Sequence, residues 1–173
     1  MGVYFLAGIY GVGKSTLGNE LSRQMNMPFF SAGDLISEVN GETYGANKVV
    51  ANKDENQSIL AQRVRQLLVK HQKILLAGHF CIVNSKGKVD PLPEHVFGEL
   101  SIEKIVLLEA DATQIADHLS RRDGRQYPTE LIEQMAETER EMAYSIAARL
   151  PCIVVQHHMA YSEADAAAII SKM

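Results

Sequence analysis

Residues 8–16 read GIYGVGKST, and their spacing matches G-x-x-x-x-G-K-[ST], with Gly8, Gly13, Lys14 and Ser15 in the fixed places. Each residue type answers a physical demand. Glycines let the backbone bend until consecutive N–H groups face one cavity, and the helix that follows presents its positive end. A lysine reaches the outer phosphates and a hydroxyl meets the counter-cation. The pattern carries this meaning only between an apolar strand and a helix. Both flanks are present: VYFLA at 3–7 precedes it, and Leu17, Leu21 and Met25 recur at every fourth residue behind it. Gly8, Gly11, Val12, Gly13, Lys14, Ser15 and Thr16 are therefore the expected cradle of a nucleoside triphosphate.

Working outward, four further apolar runs appear: PFFSA at 28–32, KILLA at 73–77, KIVLLEA at 104–110 and CIVVQ at 152–156. They are continuously apolar, as strands of a parallel sheet covered on both faces are. Helical stripes separate them: Leu60, Val64, Leu67 and Leu68; Ile115 and Leu119; and a long one through Ile132, Met135, Ala136, Met142, Ala143 and Ile146. A last segment, SEADAAAIISKM, opens with Ser162 and Asp165 in a capping arrangement. Alternation of strand and helix predicts an α/β architecture, the P-loop NTPase three-layer fold with a five-stranded parallel sheet. Ligands then bind at the carboxyl ends of the strands. Segments 40–55, 81–95 and 121–130 fit neither helix nor strand and are expected as loops over that edge.

The 173 residues suit one domain spanning 1–173. A net charge of −4 argues against a nucleic-acid surface held by bulk charge. No apolar run is long enough for a membrane span or a leader, so no membrane partner is expected and the cytoplasm is the default compartment. Cys81 and Cys152 have no metal-ligand spacing and read as free core thiols.

Beyond the loop, FFSAGDLISEV resembles the STGDLLR segment of adenylate kinases, and RRDGR at 121–125 resembles a short form of their R-x-x-G-R lid. The run from GHFCIVNSKGKVDPLPEHVFGEL through KIVLLEADATQIADHLSRRDGR to IEQMAETEREMAYS resembles the archaeal-type adenylate kinases. The likeness extends along essentially the whole chain. It implies phosphoryl transfer from ATP to a nucleoside monophosphate, AMP first, with Mg²⁺, an acceptor-binding insertion at about 40–70 and a short lid at about 121–130. It also implies that Arg121 lies over the ATP base, while Arg125 and Arg140 contact the transferred group. Arg122 has no counterpart and reads equally as a solvated helix end.

Two positions depart from the adenylate-kinase pattern. Ala77 stands where many such enzymes carry an aspartate that organises water around Mg²⁺, which leaves Ser15 and either Asp34 or Asp111 as metal candidates. Asp34 reads equally as a helix cap. Ser37 stands where bacterial-type enzymes have the arginine that clamps the monophosphate, and Arg63 or Arg65 could substitute, Arg63 flanking the apolar stripe. His79 and Phe80, just past the third strand, are expected at the acceptor; His157 and His158 could line the base pocket but read first as a surface loop. Two alternatives stay open: a kinase for another nucleotide or phosphorylated metabolite, and a nucleotide-binding module or ATPase whose kinase activity has decayed.

Overall fold

The computed structural model describes residues 1–40 and 53–173. Segment 41–52, which contains the whole GETYGANKVV stretch of the expected acceptor insertion, lies outside the described residues.

Strand β1 (Gly2–Ala7) leads into α1 (Lys14–Met25), then β2 (Phe29–Ser31), α2 (Ala32–Asn40) and α3 (Lys53–Lys70). Next come β3 (Lys73–Ala77), a hairpin of β4 (Cys81–Val83) and β5 (Val89–Pro91), and the short α4 (His95–Gly98). The chain closes with β6 (Ile102–Glu109), α5 (Ala112–Asp123), α6 (Thr129–Arg149), β7 (Ile153–His158) and α7 (Ala164–Ile170). The main sheet has five strands in the order β2-β3-β1-β6-β7, and every pairing is parallel. All five strands expected from the apolar runs are present. No helix among the described residues is long and apolar enough to cross a membrane.

The continuous apolar runs have a direct cause in the layers. On β1, Val3, Phe5 and Ala7 join a core with α2, α3, α4 and the later turns of α6, through residues such as Leu35, Val64, Phe97 and Ile146. Tyr4 and Leu6 face the other way, into a core with α1, α5, α7 and the first turns of α6, through Leu17, Ile115, Ile132 and Ile169. Successive side chains on a strand point to opposite faces, so a strand covered twice must be apolar at every position.

Two segments expected as plain loops contain structure. Residues 81–95 hold the antiparallel β4–β5 hairpin, in which Cys81 pairs with Pro91 and Val83 with Val89. The Asn84 side chain accepts hydrogen bonds from the N–H groups of Lys86 and Lys88, an Asx-type turn. The strands are too short for periodicity to register. In segment 121–130, α5 runs on to Asp123 and stops at Gly124, which takes the left-handed conformation at φ 68°. Since α6 starts at Thr129, the non-helical connector is only residues 124–128.

The first strand ends between β3 and β6, with Leu6 beside Ala77 and Ala7 beside Leu107. The chain runs to the β2 edge, returns through β3 and then crosses to β6. The crevice at this reversal, over the strands' carboxyl ends, is where the phosphate loop emerges.

Candidate phosphate-transfer site

Residues 8–13 link β1 to α1 with three glycines at positive φ: Gly8 at 143°, Gly11 at 80° and Gly13 at 101°. At Gly8 a Cβ would come within 2.8 Å of the Leu108 carbonyl, and at Gly11 within 2.7 Å of the Leu119 side chain. Close packing and backbone conformation together exclude larger residues. Lys14 opens α1, and its Nζ donates to the carbonyls of Gly8 at 2.6 Å and Ile9 at 2.8 Å. The ammonium is thus folded against its own loop at the head of the helix.

Beside it sits His79, from the turn after β3. Its Nδ1 is 2.8 Å from the Gly8 carbonyl oxygen and therefore carries the hydrogen. Lys14 Nζ lies 3.4 Å from the same nitrogen, and the Tyr10 ring packs on the imidazole with centroids 4.1 Å apart.

A cavity of about 480 Å³ opens over this loop. Gly11, Gly13, Lys14, Ser15, Thr16, Ala77 and His79 border it, with His118 and Arg122 of α5. Of the other residues expected in the cradle, Val12 is buried and offers only backbone, and Gly8 contributes its carbonyl to Lys14 and His79. Beyond the loop the wall changes character: Ile36, Leu60, Ile82, Leu92 and Phe97 supply apolar surface, and Ser31, Asn56 and Gln57 supply neutral polar groups. Among the described lining residues no carboxylate occurs, and Lys14 and Arg122 are the lysine and arginine.

Several expected site residues stand elsewhere. Phe80 is fully buried, its ring 5.0 Å from Phe5 and 4.9 Å from Phe97, so it supports the wall from behind and does not meet a substrate. Asp34 is exposed in the first turn of α2, where its charge complements the helix end, and does not border the cavity. Arg63 also lies off the cavity, ion-paired at 2.5 Å with Glu38. Arg140 is held by Glu109 at 2.7 Å and Glu137 at 2.5 Å. Arg121 is exposed on the last turn of α5.

Arg122, which sequence reasoning left undecided, borders the cavity. It makes a two-pronged ion pair with Asp123, at 2.6 and 2.9 Å. Asp123 also accepts the Tyr127 hydroxyl hydrogen, and Arg122 with Tyr127 holds its carboxyl well below the usual range. Arg125 donates to the Tyr127 oxygen at 2.8 Å and stacks over that ring, so it joins the cavity edge through this chain and not directly.

On the far side of the loop, Met159 and Tyr161 approach Gly13, and the Tyr161 ring meets His118 edge-on at 4.7 Å. This segment is pinned by Asp165, whose carboxylate accepts from His157 Nε2 at 2.7 Å, Ala160 N at 3.0 Å and Ser162 N at 2.8 Å. Burial opposes the charge, yet these donors outweigh it and keep the Asp165 carboxyl below its ordinary value. Of the capping arrangement expected at Ser162 and Asp165, the bond from Ser162 N–H to the Asp165 carboxylate forms, while α7 has Glu163 at its N-cap with no side-chain cap bond. His157, expected in a surface loop, is instead a buried partner within β7.

Glu139, overlooked in the sequence, is 1% exposed. Its Oε1 accepts from the N–H groups of Phe80 at 2.6 Å and Cys81 at 2.9 Å. A signal existed: Met135, Glu139, Met142 and Ile146 recur at helical spacing, which places a carboxylate inside an apolar stripe.

A family model described as an AAA domain matches residues 7–136. A shikimate kinase of Rhodococcus jostii is 27% identical over 159 residues, 90% of this chain and 94% of the relative. An adenylate kinase of Thermoplasma volcanium is 24% identical over 146 residues, 83% of this chain and 81% of the relative. The solved structure of a shikimate kinase from Bacteroides thetaiotaomicron shares the fold with a TM-score of 0.63 at 17% identity, covering 99% of this chain and 95% of that one.

Proposed function

We propose, for a chain that belongs to the AAA domain family, an ATP-dependent small-molecule kinase whose acceptor is a nucleoside monophosphate, AMP being the first to test. The observation that carries the acceptor is the distribution of charge in the cavity. Its cations, Lys14 and Arg122, sit at the phosphate-loop end, and its distal wall is apolar or neutral among the described residues.

A nucleoside monophosphate matches that gradient, with its anionic end toward the loop and its flat, uncharged base among Leu60, Ile82, Leu92 and Phe97. A carboxylated polyol such as shikimate would invert it. Its reacting hydroxyl would face the loop, and its carboxylate would enter the neutral wall without a described cation to offset desolvation. The chemistry points the same way. A phosphate oxygen attacks without first losing a proton, whereas a hydroxyl acceptor is usually relieved of one by a carboxylate, and none borders the cavity among the described residues.

In the transfer, the acceptor oxygen forms a bond to the γ-phosphorus while the bond to the β,γ-bridging oxygen breaks, and ADP leaves with that electron pair. Lys14 must exchange the Gly8 and Ile9 carbonyls for phosphate oxygens, and Arg122, the other cation bordering the cavity among the described residues, would offset charge on the transferred group. Ser15, exposed at the cavity edge, would hold Mg²⁺ through its hydroxyl. That ion would neutralise charge on the phosphates.

Incubation with ATP, Mg²⁺ and a panel of monophosphates, with shikimate as the hydroxyl control, tests the reading by chromatography of the products. Diphosphate formation from one monophosphate is the expected result. Phosphorylated shikimate would overturn the acceptor; free phosphate with every acceptor would mark an ATPase.

A further inference from the structure

Glu139 lies in the apolar stripe of α6, with one oxygen satisfied by two backbone donors and the other, Oε2, buried without a hydrogen-bond partner among the described residues. Burial pushes its carboxyl above the ordinary range, and nearby Lys14 and the two N–H donors oppose that rise. A carboxylate is a costly occupant of a helix stripe, so its position calls for a task that an apolar residue could not perform.

The two donors identify the task. Phe80 N lies in the turn between β3 and β4 and Cys81 N opens β4, and His79 is the residue of that turn just before them. The His79 imidazole donates to the Gly8 carbonyl at 2.8 Å, and the same oxygen accepts Lys14 Nζ at 2.6 Å. A continuous path therefore runs from the α6 carboxylate through two backbone bonds to the imidazole, the Gly8 carbonyl and the ammonium. Glu139 has no place in the cavity wall, so its hydrogen bonds reach the site by way of the turn, beside the through-space attraction between its charge and Lys14.

We propose that Glu139 is a positioning residue for phosphoryl transfer: by gripping the backbone after β3 it seats His79 on the Gly8 carbonyl and so sets where Lys14 meets the phosphates. This rests on the kinase reading. The grip is a matter of hydrogen-bond acceptance, which an amide oxygen also provides, so Glu139→Gln keeps it and Glu139→Ala removes it.

The experiment has two arms. Side-chain ¹⁵N NMR of the nucleotide-free protein reads the His79 Nδ1–H directly, without any acceptor. The expected result is a hydrogen-bonded Nδ1–H in wild type and Glu139→Gln that is lost in Glu139→Ala. Kinetics then place the effect: Glu139→Ala lowers kcat about tenfold or more with little change in the KM for ATP, and Glu139→Gln restores most of it. His79→Ala produces a similar loss, and the Glu139→Ala, His79→Ala double variant loses no more than His79→Ala alone. Should Glu139→Ala fail to fold, Glu139→Asp, with the carboxylate withdrawn by one methylene, takes its place in the cycle. An unchanged His79 signal in Glu139→Ala, additive losses, or a Glu139→Gln variant that loses kcat with its His79 contact intact would each overturn the inference. A wild type that turns over no acceptor would sink the kinase reading by itself, and the NMR arm would still decide the geometry.

Discussion

The phosphate-loop end of the cavity and its distal end are built in opposite ways. The loop end comes from adjacent residues 8–16, bent by glycines and closed by the first residue of α1. The distal end draws Ile36 from α2, Asn56, Gln57 and Leu60 from α3, Ile82 from β4, Leu92 from the segment after β5, and Phe97 from α4. A phosphate is held by backbone groups and a helix end, so contiguous spacing suffices to specify it. A neutral ring is selected by the shape of side chains, and those arrive from wherever the fold brings them.

The largest effect expected is at the loop end. Lys14→Ala should lower kcat by on the order of a hundred- to a thousandfold, as loss of a preorganised charge does, with the thermal midpoint little changed because Lys14 adds nothing to the core. A variant with near-normal rate would remove the loop from the chemistry and erase the contrast between the two ends.

Next comes the α5 terminus, where Arg122 borders the cavity and Arg125 reaches it only through Tyr127 and Asp123. Arg122→Ala should cost about tenfold to a hundredfold in kcat, and Arg125→Ala clearly less. Equal and large losses would mean that residues 124–128 rearrange to bring Arg125 inward during turnover, which would sharpen the comparison by adding a closing element to the loop end.

At the distal end, Leu92→Ala should raise the KM for the acceptor by roughly tenfold while leaving the KM for ATP in place, the scale of a few lost methylenes in an apolar pocket. A parallel rise in both constants would show that the two ends do not act on separate substrates.

The smallest effect concerns Asp123. Its carboxyl is held below the ordinary 3.8 by Arg122 and Tyr127, so its stabilisation is complete above that value and is lost as pH falls below it. Asp123→Asn should lower the thermal midpoint by one or two degrees at pH 7, roughly, and the gap should narrow below about pH 3. A gap that widens in acid would reverse the assigned sign.

The strands, the phosphate loop and the sites of most helices were legible because each is set by local pattern: continuous apolar runs for doubly covered strands, a fourfold stripe for helices, glycines where φ turns positive. Ala77 was also legible from its place at the end of a strand run, and the structure sets it on the cavity wall. The β4–β5 hairpin was not, being three residues on each side. Nor could spacing tell which arginine of RRDGR meets the cavity. Helical rotation and the stop at Gly124 decide that, and they leave Arg122 at the edge and Arg121 in solvent.

Phe80 and Glu139 mark the boundary between the two kinds of information. An aromatic residue after β3 was expected at the acceptor, and a glutamate on the long helix drew no reading at all. Tertiary packing encloses the ring between Phe5 and Phe97 and buries the carboxylate against the Phe80 and Cys81 N–H groups. The sequence by itself determined the sheet, the layers and the phosphate cradle, because backbone geometry and hydrophobic periodicity act over a few residues. Only the tertiary structure decided which side chains line the distal wall and which carboxylate holds the backbone after β3, because those contacts join distant residues, 59 positions apart in the Phe80–Glu139 bond, and depend on how separately formed elements pack.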